Sequence, residues 1–147
     1  ILKIAVVERH NYTGHIGIGY IKGYGLKSGA VATSISHDSH NIIVVGTNDE
    51  DMAAAVNHIA ENGGGITVFD GGKCIGDVKL GIAGLMSDDP LIDVNRNLED
   101  AKVRAFELGV SKLIDPFMTL SFMSLPVIPK LRLTTRGVFD VESQSYV

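Results

Sequence analysis

Apolar and polar residues alternate in short blocks along this chain, and the period of the pattern changes wherever turn residues intervene. Leu2 to Glu8 is a β-rich run ending in the polar patch Glu8-Arg9-His10-Asn11, and it predicts a first strand. Between Gly14 and Gly29, six glycines are interleaved with Ile16, Ile18, Tyr20, Ile21, Tyr24 and Leu26. Glycine recurring in a strand pattern weakens a regular ladder and marks bulges or the close approach of another backbone, so a bent, partly buried strand or loop is expected there. Ala30 to Ser36 and Asn41 to Val45 predict two further strands, the second apolar on both faces like a central strand. His37 to His40 lies between them.

A helical period follows. Thr47 and Glu50 have the spacing of a capping box, which predicts a helix with Met52, Ala55, Val56 and Ile59 as its core face and Gly63-Gly64-Gly65 as its end. Gly65 to Asp70 and Lys73 to Leu80, joined by Gly71-Gly72, predict a two-residue hairpin. Ser87-Asp88-Asp89-Pro90 supplies polar caps and a first-turn proline for a second helix. Its apolar positions are Leu91, Val94, Leu98, Ala101, Ala105 and Leu108, with Gly109 placed to end it. Pro116 to Leu125, closed by Pro126 and Pro129, predicts a short helix or an irregular buried segment. Leu131 to Leu133 and Val138 to Val141 flank Thr134-Thr135-Arg136-Gly137 as a last hairpin, and the final residues read as a tail. This order lacks the strict βαβ alternation of a doubly wound fold. The expected class is α+β: a single domain over residues 1–147, with a mixed or antiparallel sheet and two main helices packed on it.

Composition narrows the function classes. A chain of 147 residues with 45% hydrophobic and 20% charged residues is long and apolar enough to bury a core. Its 13 Lys+Arg against 17 Asp+Glu leave a net charge of -4 with no basic cluster, which argues against nucleic acid as a partner. Cys74 is the sole cysteine, so no internal disulfide forms, a reducing cytoplasm is the natural compartment, and an inert thiol is expected. The longest apolar runs are far shorter than the roughly 20 residues of a membrane span. Ile1 enters a strand directly, without an initiator Met or a signal-peptide pattern, so a trimmed or processed fragment is expected.

The strongest chemical signal is His37-Asp38-Ser39-His40-Asn41, five consecutive polar residues between two strands, where side chains from a rigid scaffold can converge. His37 and His40 would face opposite sides of a regular strand but the same side of a turn. A metal site would need further ligands, with Asp38 or Asp49 available. Three readings remain open: a loop that satisfies its own backbone, a metal site, and a contact to substrate or another domain. A hydrolase centred on Ser39 is disfavoured, because the Gly-x-Ser-x-Gly elbow that lifts such a nucleophile is missing. The glycine-rich stretch fails the Gly-x-Gly-x-x-Gly spacing at Lys22, and Lys73 is followed by Cys74, so neither phosphate-cradling loop is present. Asp49-Glu50-Asp51 is explained by the helix dipole and cap before a cation is invoked. Phe117, Met118, Phe122 and Met123 read as core or buried interface in preference to a cofactor box.

Taken together, Glu8-Arg9-His10, the glycine-rich Gly14 to Gly29, Ser36 to Asn41, Gly46 to Met52, Gly84-Leu85-Met86-Ser87, Asp115 to Phe122 and Leu125 to Pro129 closely resemble the C-terminal domain of microbial adenine deaminase, an amidohydrolase-superfamily family. The resemblance spans nearly the whole chain, and His37 to Met52 is its most specific stretch. It implies hydrolysis of adenine to hypoxanthine and ammonia at a manganese or iron centre inside an upstream (β/α)8 barrel; a homo-oligomer is left open. No two of His10, His15, His37, His40 and His58 are two apart, so the superfamily's His-x-His metal pair is absent and no family metal ligand maps onto this sequence. The chain alone is therefore expected to bind no catalytic metal and to be inactive. Its expected part is to pack on the barrel, with His37, Asp38, His40 and Asn41 as candidate substrate or active-site contacts. Imidazole and carboxamide groups can bond a purine's ring nitrogens or amine. A scaffolding or oligomerisation domain, built on Pro116 to Pro129 and the glycine-rich strand, and an independent small-ligand or metal module are the alternatives.

Overall fold

The computed structural model describes Ile1–Val147. In chain order its elements are β1 (Leu2–Val7), β2 (Ile16–Ile21), β3 (Ala30–Thr33), β4 (Ile42–Gly46), α1 (Asp49–Glu61), β5 (Gly65–Asp70), β6 (Lys73–Lys79), α2 (Leu91–Glu107), α3 (Pro116–Ser121), β7 (Leu131–Thr134), β8 (Gly137–Asp140) and β9 (Ser145–Tyr146). Six strands form one sheet in the order β2-β1-β4-β3-β5-β6, and β7-β8-β9 form a second. Every pairing is antiparallel, so of the two sheet types expected from the sequence the antiparallel one is realised within an α+β fold.

The period-two alternation sorts side chains between two apolar clusters. Ile4, Val6, Val31, Ile43, Val45, Ile66, Val68 and Val78 face Ala101 and Ala105 of α2, Phe117 and Leu120 of α3, and Leu133 of β7. Ala5, Ala30, Ala32, Ile42, Val44 and Phe69 face Met52, Ala55 and Ile59 of α1. The two main helices thus lie on opposite faces of the sheet, and β4 is buried at all five positions because both faces are covered.

Several local expectations shift. Helix α1 is capped by Asn48, whose side chain accepts from the Asp51 amide at 2.7 Å, one residue later than the Thr47-Glu50 box. Thr47 is drawn off instead to the Gly29 carbonyl, through its amide at 3.0 Å and its hydroxyl at 3.3 Å. Asp51 is buried, and its carboxylate accepts from the amides of Gly71 and Gly72 at 3.3 and 2.7 Å. The start of α1 is thereby tied to the β5–β6 turn. Helix α2 has Pro90 at its cap with no side-chain capping bond, since Ser87 and Asp89 bond each other, and Leu91 stays 83% exposed outside the apolar stripe. The C-terminal residues are no tail: β9 pairs with β8, placing Tyr146 opposite Phe139.

The glycine-rich stretch becomes the edge strand β2. Its glycines lie on the face that the second sheet crosses: a Cβ on Gly17 would come 1.8 Å from the Thr134 carbonyl oxygen. Ile16, Ile18 and Tyr20 alternate onto the other face and remain exposed.

Candidate functional site

Between β3 and β4 the chain turns through Ser34 to Asn41, and the turn is held from below by buried serines. Ser36 Oγ lies 2.5 Å from Ser124 Oγ, the Ser124 hydroxyl donates to the His37 carbonyl at 3.1 Å, and the His37 amide donates to the Ser121 carbonyl at 2.9 Å. The loop is therefore seated on α3 and the residues after it. The His40 amide closes a turn on the Ser36 carbonyl at 2.6 Å, and His40 Nδ1 accepts from the Ser36 amide at 3.3 Å. A neutral His40 then carries its proton on Nε2, an assignment that follows from that bond.

The turn brings His37 and His40 together, as a turn but not a strand would. Their rings are 5.4 Å apart edge to face, and His37 stacks on Phe122 at 5.2 Å. Burial, with His37 and Arg9 adding positive charge nearby, pushes the His40 imidazole below its ordinary value, so it is neutral near pH 7. Asp38 and Ser39 are exposed. Asn41 is buried and engaged at both ends: its Oδ1 accepts from the Arg9 amide at 3.2 Å and its Nδ2 donates to Ser39 Oγ at 3.1 Å. Of the four candidate contacts, His37, Asp38 and His40 are presented, whereas Asn41 braces the loop. Asp38, Ser39, Asn41, Ser124, Thr134 and Thr135 line a polar cleft of about 290 Å³ beside it. Ser39 Oγ meets the Asn41 amide and no histidine, so no hydrolase relay forms there.

Arg9 and His10 are the neighbours that sequence reasoning left without a role. Arg9 Nε donates to the His40 carbonyl at 2.6 Å, and its Nη2 donates to the Ala83 carbonyl at 2.6 Å. His40 and Ala83 both adopt left-handed backbone, with φ of 52° and 57°, which L side chains rarely occupy. One guanidinium thus clamps two strained turns. Gly84 makes room for it, since a Cβ there would lie 2.4 Å from Arg9 Nη2. His10 Nε2 reaches the Ser39 carbonyl at 2.6 Å, which requires the proton on that nitrogen. Glu8 holds the bend that follows, at His10 to Thr13. Burial alone would raise its carboxyl, but bonds from the amides of Asn11, His10 and Thr13 bring it down to about 2. The Glu8-Arg9-His10 run was the available signal, but its partners lie 31 and 74 residues away.

These features define a sheet-based domain that displays a braced, histidine-bearing loop at one end of its central strands. A family model described as the adenine deaminase C-terminal domain matches residues 1–145. The chain is 52% identical over 147 residues to an adenine deaminase of Bacillus licheniformis and 52% identical to one of Bacillus subtilis, in each case covering 100% of this chain and 26% of the relative. An adenine deaminase of Desulfatibacillum aliphaticivorans is 54% identical with the same coverage. The chain belongs to the adenine deaminase C-terminal domain family. It spans about a quarter of the length of the curated relatives it matches.

Proposed function

We propose that this chain is the C-terminal part of a cytoplasmic adenine deaminase, in which water replaces the exocyclic amine of adenine to give hypoxanthine and ammonia. The match over nearly every residue to relatives named adenine deaminase carries the reading. A divalent manganese or iron ion would supply an activated water in such chemistry. The residues of this chain do not fit that ion: the His37–His40 pair has no converging carboxylates, and the one convergent donor group, His58, Cys74 and Asp77, includes a thiol. In this reading an upstream (β/α)8 barrel supplies the metal ligands, and this domain packs on it.

His37, Asp38 and His40 would then serve the active-site entrance. A neutral His40 with Nε2–H available can donate to a purine ring nitrogen, and His37, stacked on Phe122, offers a flat face to a base. A scaffolding part has its own support in Ile16, Ile18 and Tyr20, 54–76% exposed on one face of β2 and suited to burial against the barrel or a second subunit. The intact polypeptide is expected to release ammonia from adenine, and the 147-residue chain alone to release none. Equal turnover by the chain alone would place the chemistry here and overturn the reading.

A further inference from the structure

Cys74 and Asp77 are three residues apart on β6, and on an unbroken strand their side chains would point to opposite faces. The β5–β6 register shifts between Val68 and Phe69, so that Cys74 sits opposite Phe69, Gly76 opposite Val68 and Asp77 opposite Thr67. Ile75 is taken up in the bulge and packs with the α2-side cluster. Cys74 and Asp77 therefore emerge on the same face, the one covered by α1, which is how a bulge re-aims a side chain. There His58, from the last turn of α1, meets them. Its Nε2 is 3.1 Å from Asp77 Oδ1 and 4.0 Å from Cys74 Sγ, and the three donor atoms all lie within 4.8 Å of one another.

Two details favour a shared cation over other uses of these groups. A Cys-His-Asp relay needs the thiol and the carboxylate on different ring nitrogens, whereas here both approach Nε2. Asp77 Oδ1 is shut off from solvent and receives no hydrogen bond, although Nε2 stands close by. His58 Nε2 also accepts from Asn62 Nδ2 at 3.1 Å, so it turns a lone pair and no proton toward the carboxylate, an arrangement that a cation between the two relieves as Asn62 gives up that bond. Zinc bound to sulfur, nitrogen and oxygen at about 2.0–2.3 Å in tetrahedral geometry sets donor separations of about 3.3–3.6 Å, which side-chain shifts of about 1 Å would give here.

We infer that His58 Nε2, Cys74 Sγ and Asp77 Oδ1 form a zinc-binding site that ties α1 to the β5–β6 hairpin, with water as the fourth ligand on the exposed side of Cys74. Binding releases the thiol proton to solvent, and the thiolate and carboxylate then balance the charge of the ion while the imidazole stays neutral. The site stands independently of adenine deamination.

The 147-residue chain has its own core on both faces of the sheet and can be tested directly. After removal of adventitious metal, titration with zinc against a chromophoric indicator is expected to show one zinc per chain. Cys74→Ser and Asp77→Asn should each weaken binding at least tenfold, and His37→Ala/His40→Ala should leave it unchanged. Cobalt should give a thiolate-to-metal charge-transfer band that Cys74→Ser abolishes. Circular dichroism of each metal-free variant confirms that the fold is retained. Zinc bound equally by the Cys74→Ser chain, no zinc bound at all, or binding lost in His37→Ala/His40→Ala but kept in Cys74→Ser would overturn the assignment.

Discussion

Arg9 illustrates how one side chain can hold a loop from a distant part of the chain. Its guanidinium bonds the carbonyls of His40 and Ala83, two residues whose left-handed backbone costs of order 1–3 kcal/mol each and persists because the surroundings hold it. Lysine keeps the charge but is a compact point donor that cannot span both carbonyls. Arg9→Lys is accordingly expected to lower unfolding stability by about 1–3 kcal/mol, read from the urea midpoint; an unshifted midpoint would show that the clamp contributes nothing. Glu8 gives a prediction in pH. Its folded carboxyl lies at about 2 against an ordinary 4.5, so its contribution to stability is fully present above about 4.5 and is lost as pH falls from there toward 2. Glu8→Gln should flatten the stability profile within that window, and added salt should shrink the difference because the carboxylate is screened by solvent. The polar run from His37 to Asn41 was legible as a candidate site because five polar residues interrupt two apolar strands. The clamp was not, because its bonds cross 31 and 74 residues of chain.

Among the elements, strand β2 shows both what an alternating pattern reveals and what it hides. Within Gly14 to Gly29, close backbone approach occurs at Gly17, Gly25 and Gly29, but only the fold shows that the approaching backbone is Thr134 of β7, Gly109 and Phe69 respectively, and that Gly14 and Gly23 meet nothing. Gly17→Val would drive a side chain into the Thr134 carbonyl, forcing the two sheets apart. It should cost about 1–3 kcal/mol and raise hydrogen exchange at Leu131 to Thr134, whereas unchanged protection there would contradict the packing. The capping box at Thr47 misplaced the start of α1 by one residue because Gly29, distant in sequence, competes for the threonine. The convergence of Cys74, Asp77 and His58 was likewise hidden, since a single extra residue in the β5–β6 register reverses which face a side chain takes. By contrast, the Gly71-Gly72 hairpin and the core face of α1 depend on local spacing and were legible from it.

For the molecule as a whole, an antiparallel sheet covered by helices on both faces leaves two features turned outward: the apolar face of β2 and the braced loop after β3. If the β2 face packs on the rest of a longer polypeptide, the amides of Ile16 to Ile21 should exchange more slowly in the intact protein than in this chain alone. Equal rates would assign the face no such part. The loop bears on the proposed activity more directly. The decisive measurement is kcat/KM for adenine in the intact enzyme carrying His37→Ala/His40→Ala, beside its urea midpoint. A loss of about tenfold or more with an unchanged midpoint is expected from groups that bond the substrate or shuttle its protons. Unaltered kcat/KM would leave the loop no part in the chemistry and contradict its assignment to the active site.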